Sequence, residues 1–105
     1  YKEPDKRFIV FGSEKACTEI KDILAKNKLG YNHMFVTATE QDNPTGHITL
    51  SNVNRYTHIL YDAESYSYDT MLRLLQQTPG NTLRLATYST QTGNLITEDA
   101  IYSRD

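Results

Sequence analysis

Apolar and polar positions alternate along this chain with a spacing that changes from segment to segment. Phe8, Ile9, Val10 and Phe11 form a continuous apolar run closed by Gly12 and Ser13. Such a run suits a short strand buried on both faces. Ala16, Cys17, Ile20, Ile23 and Leu24 then recur at steps of three and four, which marks one face of a helix. Ser13 is placed to cap that helix, and Glu14 puts negative charge in the first turn, where the helix dipole favours it. Lys15 with Glu19, and Asp22 with Lys26, are four apart and predict ion pairs on the solvent side. Leu29-Gly30 predicts the stop, with glycine supplying a left-handed residue. Residues 31–37 are rich in aromatic and β-favouring types and predict a second strand. Strand, helix and strand in this order imply a βαβ unit with a right-handed crossover.

Further along, residues 1–6 are polar and contain Pro4, which predicts a frayed lead-in. Residues 40–46 read as a turn or loop. Residues 47–50 alternate like a short strand, and 51–55 show no period. A third strand is predicted over 57–61, followed by a turn at 62–65. Tyr68, Met71, Leu72 and Leu75 mark a second amphipathic helix, capped by Ser67 or Asp69 and ended before Pro79-Gly80. Residues 83–88 and 94–102 read as two strands of a hairpin joined by Thr90-Gln91-Thr92-Gly93. The prediction is one α/β domain with a mixed sheet whose last pairs are antiparallel.

Composition narrows the function more than the fold. At 105 residues the chain supports one domain. Its net charge is −2 and no block of like charges occurs, which argues against a polyanionic partner held by bulk electrostatics. No apolar run approaches the roughly 18 residues of a membrane span, so no membrane contact is expected. Cys17 is the only cysteine, which excludes an internal disulfide framework and a cysteine-rich zinc site. The cytoplasm or another reducing intracellular compartment is the expectation that follows.

The stretch from residue 8 to residue 75 resembles a glutaredoxin, a member of the thioredoxin fold. Cys17 falls where that family's second cysteine sits, and Ile20, Ile23 and Leu24 match its inward helical positions. Tyr31, Met34 and Val36 match the second strand, and Tyr68-Asp69 matches an aromatic-Asp pair that opens a later helix. The resemblance implies a thioredoxin/glutaredoxin-like mixed sheet with two main helices over 7–78, and an added C-terminal β-hairpin over 82–103. The departures fall on the chemistry. Glu14 stands in place of the nucleophilic cysteine, Thr57 in place of the cis-proline, and Tyr66-Ser67 in place of a glycine pair. A thiol-exchange enzyme needs an exposed thiolate of depressed pKa. Cys17 lies a turn inside the helix on its apolar face, where burial raises the pKa.

Other candidate chemistry is weaker. His33, His47 and His58 share no ligand-like spacing, so no metal site is predicted. Phe11-Gly12-Ser13 carries one glycine and no G-x-G-x-x-G, so it reads as an ordinary strand-to-helix connection. Asp62 and Glu64 follow a strand, where acidic residues commonly form turns. No catalytic residue and no cofactor are predicted, and nothing indicates a small-molecule ligand. The tyrosines and arginines are more suggestive, because that composition is enriched at interaction surfaces. Arg84 and Tyr88, on one face of the hairpin, and Tyr66 and Tyr68, near the second helix, are the predicted binding residues. Leu83 and Leu85 are expected to pack inward, with Glu98 and Asp99 guarding the last strand. The leading expectation is a non-catalytic binding or accessory domain for a protein partner. One alternative is a monothiol exchange enzyme using Cys17. The other is a single-stranded nucleic-acid-binding domain, with bases stacked on the tyrosines.

Overall fold

A computed structural model describes residues 6–29, 33–37, 55–78 and 83–104. The chain forms a mixed α/β domain with a six-stranded sheet and two helices. The order of elements is β1 (Phe8–Gly12), α1 (Glu14–Lys26), β2 (Met34–Thr37), β3 (His58–Asp62), α2 (Tyr68–Gln77), β4 (Arg84–Ser89), β5 (Asn94–Ile96) and β6 (Ile101–Ser103). Across the sheet the order is β2-β1-β3-β4-β5-β6. The pairs β1–β2, β1–β3 and β3–β4 are parallel, and β4–β5 and β5–β6 are antiparallel. The predicted mixed sheet with antiparallel closing pairs is therefore present.

The β1–α1–β2 crossover steps toward one edge of the sheet and the β3–α2–β4 crossover toward the other, which places the two helices on opposite faces. One face carries Phe8, Val10, Leu60, Ala86, Tyr88 and Leu95, packed with Ala16, Cys17, Ile20, Ile23 and Leu24 of α1. The other carries Ile9, Phe11, Val36, Ile59 and Tyr61, packed with Met71 and Leu74 of α2. This two-sided cover explains why β1 and β3 are buried at every position.

Both helix starts follow their cap chemistry. Ser13 Oγ accepts from Ala16 N at 3.2 Å, and Ser67 Oγ accepts from Thr70 N at 3.2 Å. Ser67, not Asp69, is thus the second cap. The end of α1 differs from the prediction. Asn27 is the C-cap, and Lys28 takes the left-handed conformation at φ 53°. Gly30, Tyr31, the stretch 47–50 with His47, and Pro79-Gly80 lie outside the described residues. In α2 the buried residues are Met71 and Leu74, so the helix is turned from the predicted stripe and Tyr68 is exposed.

The hairpin differs most. Residues 94–102 form two strands, because the Thr97 hydroxyl closes a turn between them. Thr97 Oγ1 donates to Asp99 Oδ1 at 2.7 Å and accepts from Ala100 N at 3.2 Å. Thr97 N also donates to Ala100 O at 2.9 Å. The strand β4 lies inside the sheet between β3 and β5, with both faces contributing to the cores. It belongs to the core and is not an addition to it. At the β4–β5 turn Gly93 has φ +72°, a conformation that favours glycine.

Candidate functional site

The four predicted binding residues do not converge. Arg84 opens β4 and is exposed, and its guanidinium donates to Glu98 Oε1 at 3.0 Å. Tyr88 shares its face of β4, four residues on, but is fully buried. The expectation that Tyr88 faces solvent is corrected by α1, which covers that face. Its hydroxyl donates to the Glu19 carboxylate. Burial, with the Glu19 carboxylate as acceptor, pushes the Tyr88 phenol up to about 12. Glu19 takes up this bond and one from Arg104 at 2.8 Å, and Lys15, its predicted partner, adds a favourable charge without a direct bond. Tyr66 and Tyr68 follow β3 at the end of the sheet where Asp62 pairs with Tyr88, away from Arg84. Tyr66 is half-buried, edge-on to Phe11 with ring centroids 6.2 Å apart, and Tyr68 is 57% exposed.

Where β1 and β3 end, Asp62 occupies the crevice at which the strand order reverses. Its carboxylate accepts from Ser65 Oγ at 2.8 Å, Ser13 Oγ at 3.4 Å and the Glu64 backbone N–H at 3.0 Å. The chain comes so close here that a Cβ on Gly12 would sit 2.9 Å from the Asp62 Cβ. Gly12 thus admits a carboxylate of the chain itself at the start of α1, the place where doubly wound folds receive a ligand. The groups are turned on one another, as in a structural cap.

Cys17 is buried, with its Sγ 3.8 Å from Gly12 O. Burial pushes its thiol above the ordinary value. That environment suits packing and disfavours thiolate chemistry. His33 and His58 flank the Phe8 ring at centroid distances of 5.4 and 5.1 Å. Among the described residues no group of three or more His, Cys, Asp or Glu side chains is placed to hold a metal ion. No helix among them is long and apolar enough to cross a membrane.

Two features escaped the reading of the sequence. The first is a polar link from β3 to the β5–β6 turn. Nε2 of His58 lies 2.9 Å from Glu98 Oε2, and its Nδ1 lies 2.7 Å from Thr57 Oγ1. The second is an exposed aliphatic pair. Ile96 and Ile101 face each other across β5 and β6 and are 44% and 66% exposed. Alternation contained the signal for the pair. With Leu95 and Tyr102 inward, Ile96 and Ile101 must point the other way. The turn at 97–100 hid it by making two strands read as one.

No family model, curated protein or solved structure matches the chain.

Proposed function

We propose that this is a non-catalytic binding domain that docks a protein partner on the exposed face of the β5–β6 hairpin. The observation that carries this reading is the Ile96–Ile101 pair. Each is a large aliphatic side chain whose burial is worth roughly 1.5–3 kcal/mol. They sit directly opposite each other on adjacent strands, where α2 does not reach to bury them. The charged residues that follow them in the chain are engaged on the opposite, α1-facing side: Asp99 with Lys6, which also holds the Tyr102 hydroxyl, and Arg104 with Glu19 of α1. An exposed aliphatic pair with no cation of these ion pairs on its face fits the apolar centre of a protein interface better than a nucleic-acid backbone.

The scaffold in this reading is redox-inactive. The glutaredoxin resemblance is supported by the β1–α1–β2 unit and by the inward positions of α1. The parallel setting of β3 and β4 follows the doubly wound order instead. The buried Cys17 weighs against the monothiol alternative.

The test replaces Ile96 and Ile101 by serine together and compares capture of partners from a lysate, then binding to the purified partner. The double variant should lose the interaction with its circular dichroism and thermal midpoint unchanged. Tyr68→Ser should retain it. Equal binding by the wild type and the double variant would remove the hairpin face as the docking site.

A further inference from the structure

The two helices cover the sheet unequally. On the α2 side, Met71 and Leu74 close over residues of β1 and β3. The register sets Thr87, Ile96 and Ile101 in one row across β4, β5 and β6 on that side, with Ser89, Asn94 and Ser103 in the next row. Their neighbours Tyr88, Leu95 and Tyr102 turn to the α1 side. None of the six residues in the two rows is charged. The carboxylates of the β5–β6 turn are drawn to the α1 side, where Glu98 binds His58, whose ring packs on Phe8, and Asp99 binds Lys6. Two strands together are about 10 Å wide, and packed helices lie about 8–10 Å apart. The surface of β5 and β6 beside α2 is therefore one helix wide.

The second helix supplies a wall. At about 100° per residue, Leu72 stands on the flank next to the buried Met71. In a right-handed crossover this flank, clockwise from the buried stripe when seen from the helix N-terminus, faces the strand that follows. The first helix obeys the same geometry: Lys21 holds that flank with its Nζ 4.8 Å from the Phe35 ring centroid of β2, while Glu19 on the opposite flank meets Tyr88 of β4. Leu72, half-buried, accordingly faces β4 and the hairpin beyond it. With Ile96 and Ile101 as its floor, it completes an uncharged trough.

We propose that this trough takes a short amphipathic α-helix of the protein partner, laid beside α2 as a third helix on the sheet. Strands β5 and β6 are three residues long, about 10 Å, which matches two helical turns. The complement is an uncharged apolar stripe at i, i+3 or i+4, and i+7, set against Ile96, Ile101 and Leu72. A second copy of the chain does not supply such a stripe from its described helices. The apolar faces of α1 and α2 are buried on their own sheet, and the outer face of α2 carries Asp69 and Arg73. The inference rests on the reading of the hairpin face as a docking site and adds the form of the segment that fills it.

The test is a selection of displayed peptides on the purified whole chain. One library holds capped, alanine-rich helices of about 18 residues with varied apolar residues at helical spacing, long enough to hold helix in water. The other holds extended peptides with alternating apolar residues. Binders should enrich from the helical library and gain helix by circular dichroism when bound. They should shift the methyl resonances of Ile96, Ile101 and Leu72. Their affinity should fall about tenfold or more in the Ile96→Ser, Ile101→Ser double variant and in Leu72→Gln. Both isoleucines are exposed, so the double variant decides the matter should Leu72→Gln lower the thermal midpoint. Extended binders lost in the double variant would overturn the helix and leave the docking face standing. Helical binders indifferent to the double variant would overturn both. Enrichment from neither library, or a dimer in sedimentation that Ile101→Ser dissolves, would also overturn the helix, the dimer by showing that a second copy covers the face.

Discussion

The Tyr88 hydroxyl donates to the Glu19 carboxylate across the packing of α1 on β4. This one bond connects the fourth strand to the first helix, and Arg104, beyond β6, closes on the same carboxylate. Tyr88→Phe keeps the buried ring and removes the bond. The expected loss is about 1–2 kcal/mol in a denaturant titration, because Glu19 retains Arg104. Tyr88→Ala empties the site and should cost about 3–5 kcal/mol.

The same bond sets an alkaline limit. The folded phenol is raised to about 12, so the fold favours the protonated tyrosine. That contribution is complete below pH 10 and is lost as pH rises toward 12. In Tyr88→Phe, stability measured from pH 9 to pH 12 should fall less steeply than in the wild type.

Ile23 is 1% exposed on the inner face of α1. Ile23→Ala should cost about 2–5 kcal/mol by chemical denaturation. A loss near zero would mean that this face of the helix does not carry the core.

Gly12→Ala would place a methyl group 2.9 Å from the Asp62 Cβ. The neighbour is the root of a side chain and cannot swing away. The expected cost is about 1–3 kcal/mol, read as a lowered thermal midpoint.

Cys17 should react with a thiol reagent only after unfolding, because it is 4% exposed and burial disfavours its thiolate. Rapid labelling of the native chain, together with glutathione exchange abolished by Cys17→Ser, would restore the monothiol reading.

The regular elements were legible because their signals are local. The apolar run Phe8 to Phe11, the stripe through Ile20, Ile23 and Leu24, and the caps Ser13 and Ser67 each act within a turn or a strand. What depends on distant partners was not. Nothing near Tyr88 in the chain shows that α1 will cover it, so its place in an alternating strand read as a solvent face. Nothing near Glu98 shows that His58, forty residues earlier, will bind it, so the carboxylate read as an edge guard. The turn at Thr97 was missed because Thr-Glu-Asp is compatible with a strand until the hydroxyl is seen closing on Ala100.

The position of β4 between β3 and β5 also governs the order in which the molecule can be completed. Ribosomal synthesis delivers β1, α1 and β3 well before β4, yet β3 has no partner on one side until residues 84–88 emerge. Lys6 waits longer still for Asp99 and Tyr102, and Glu19 for Arg104. Contacts of such sequence separation are slow to close, and the early segments carry an uncovered strand meanwhile. The nascent chain is therefore open to chaperones, and to pairing with neighbouring chains, until β4 has docked.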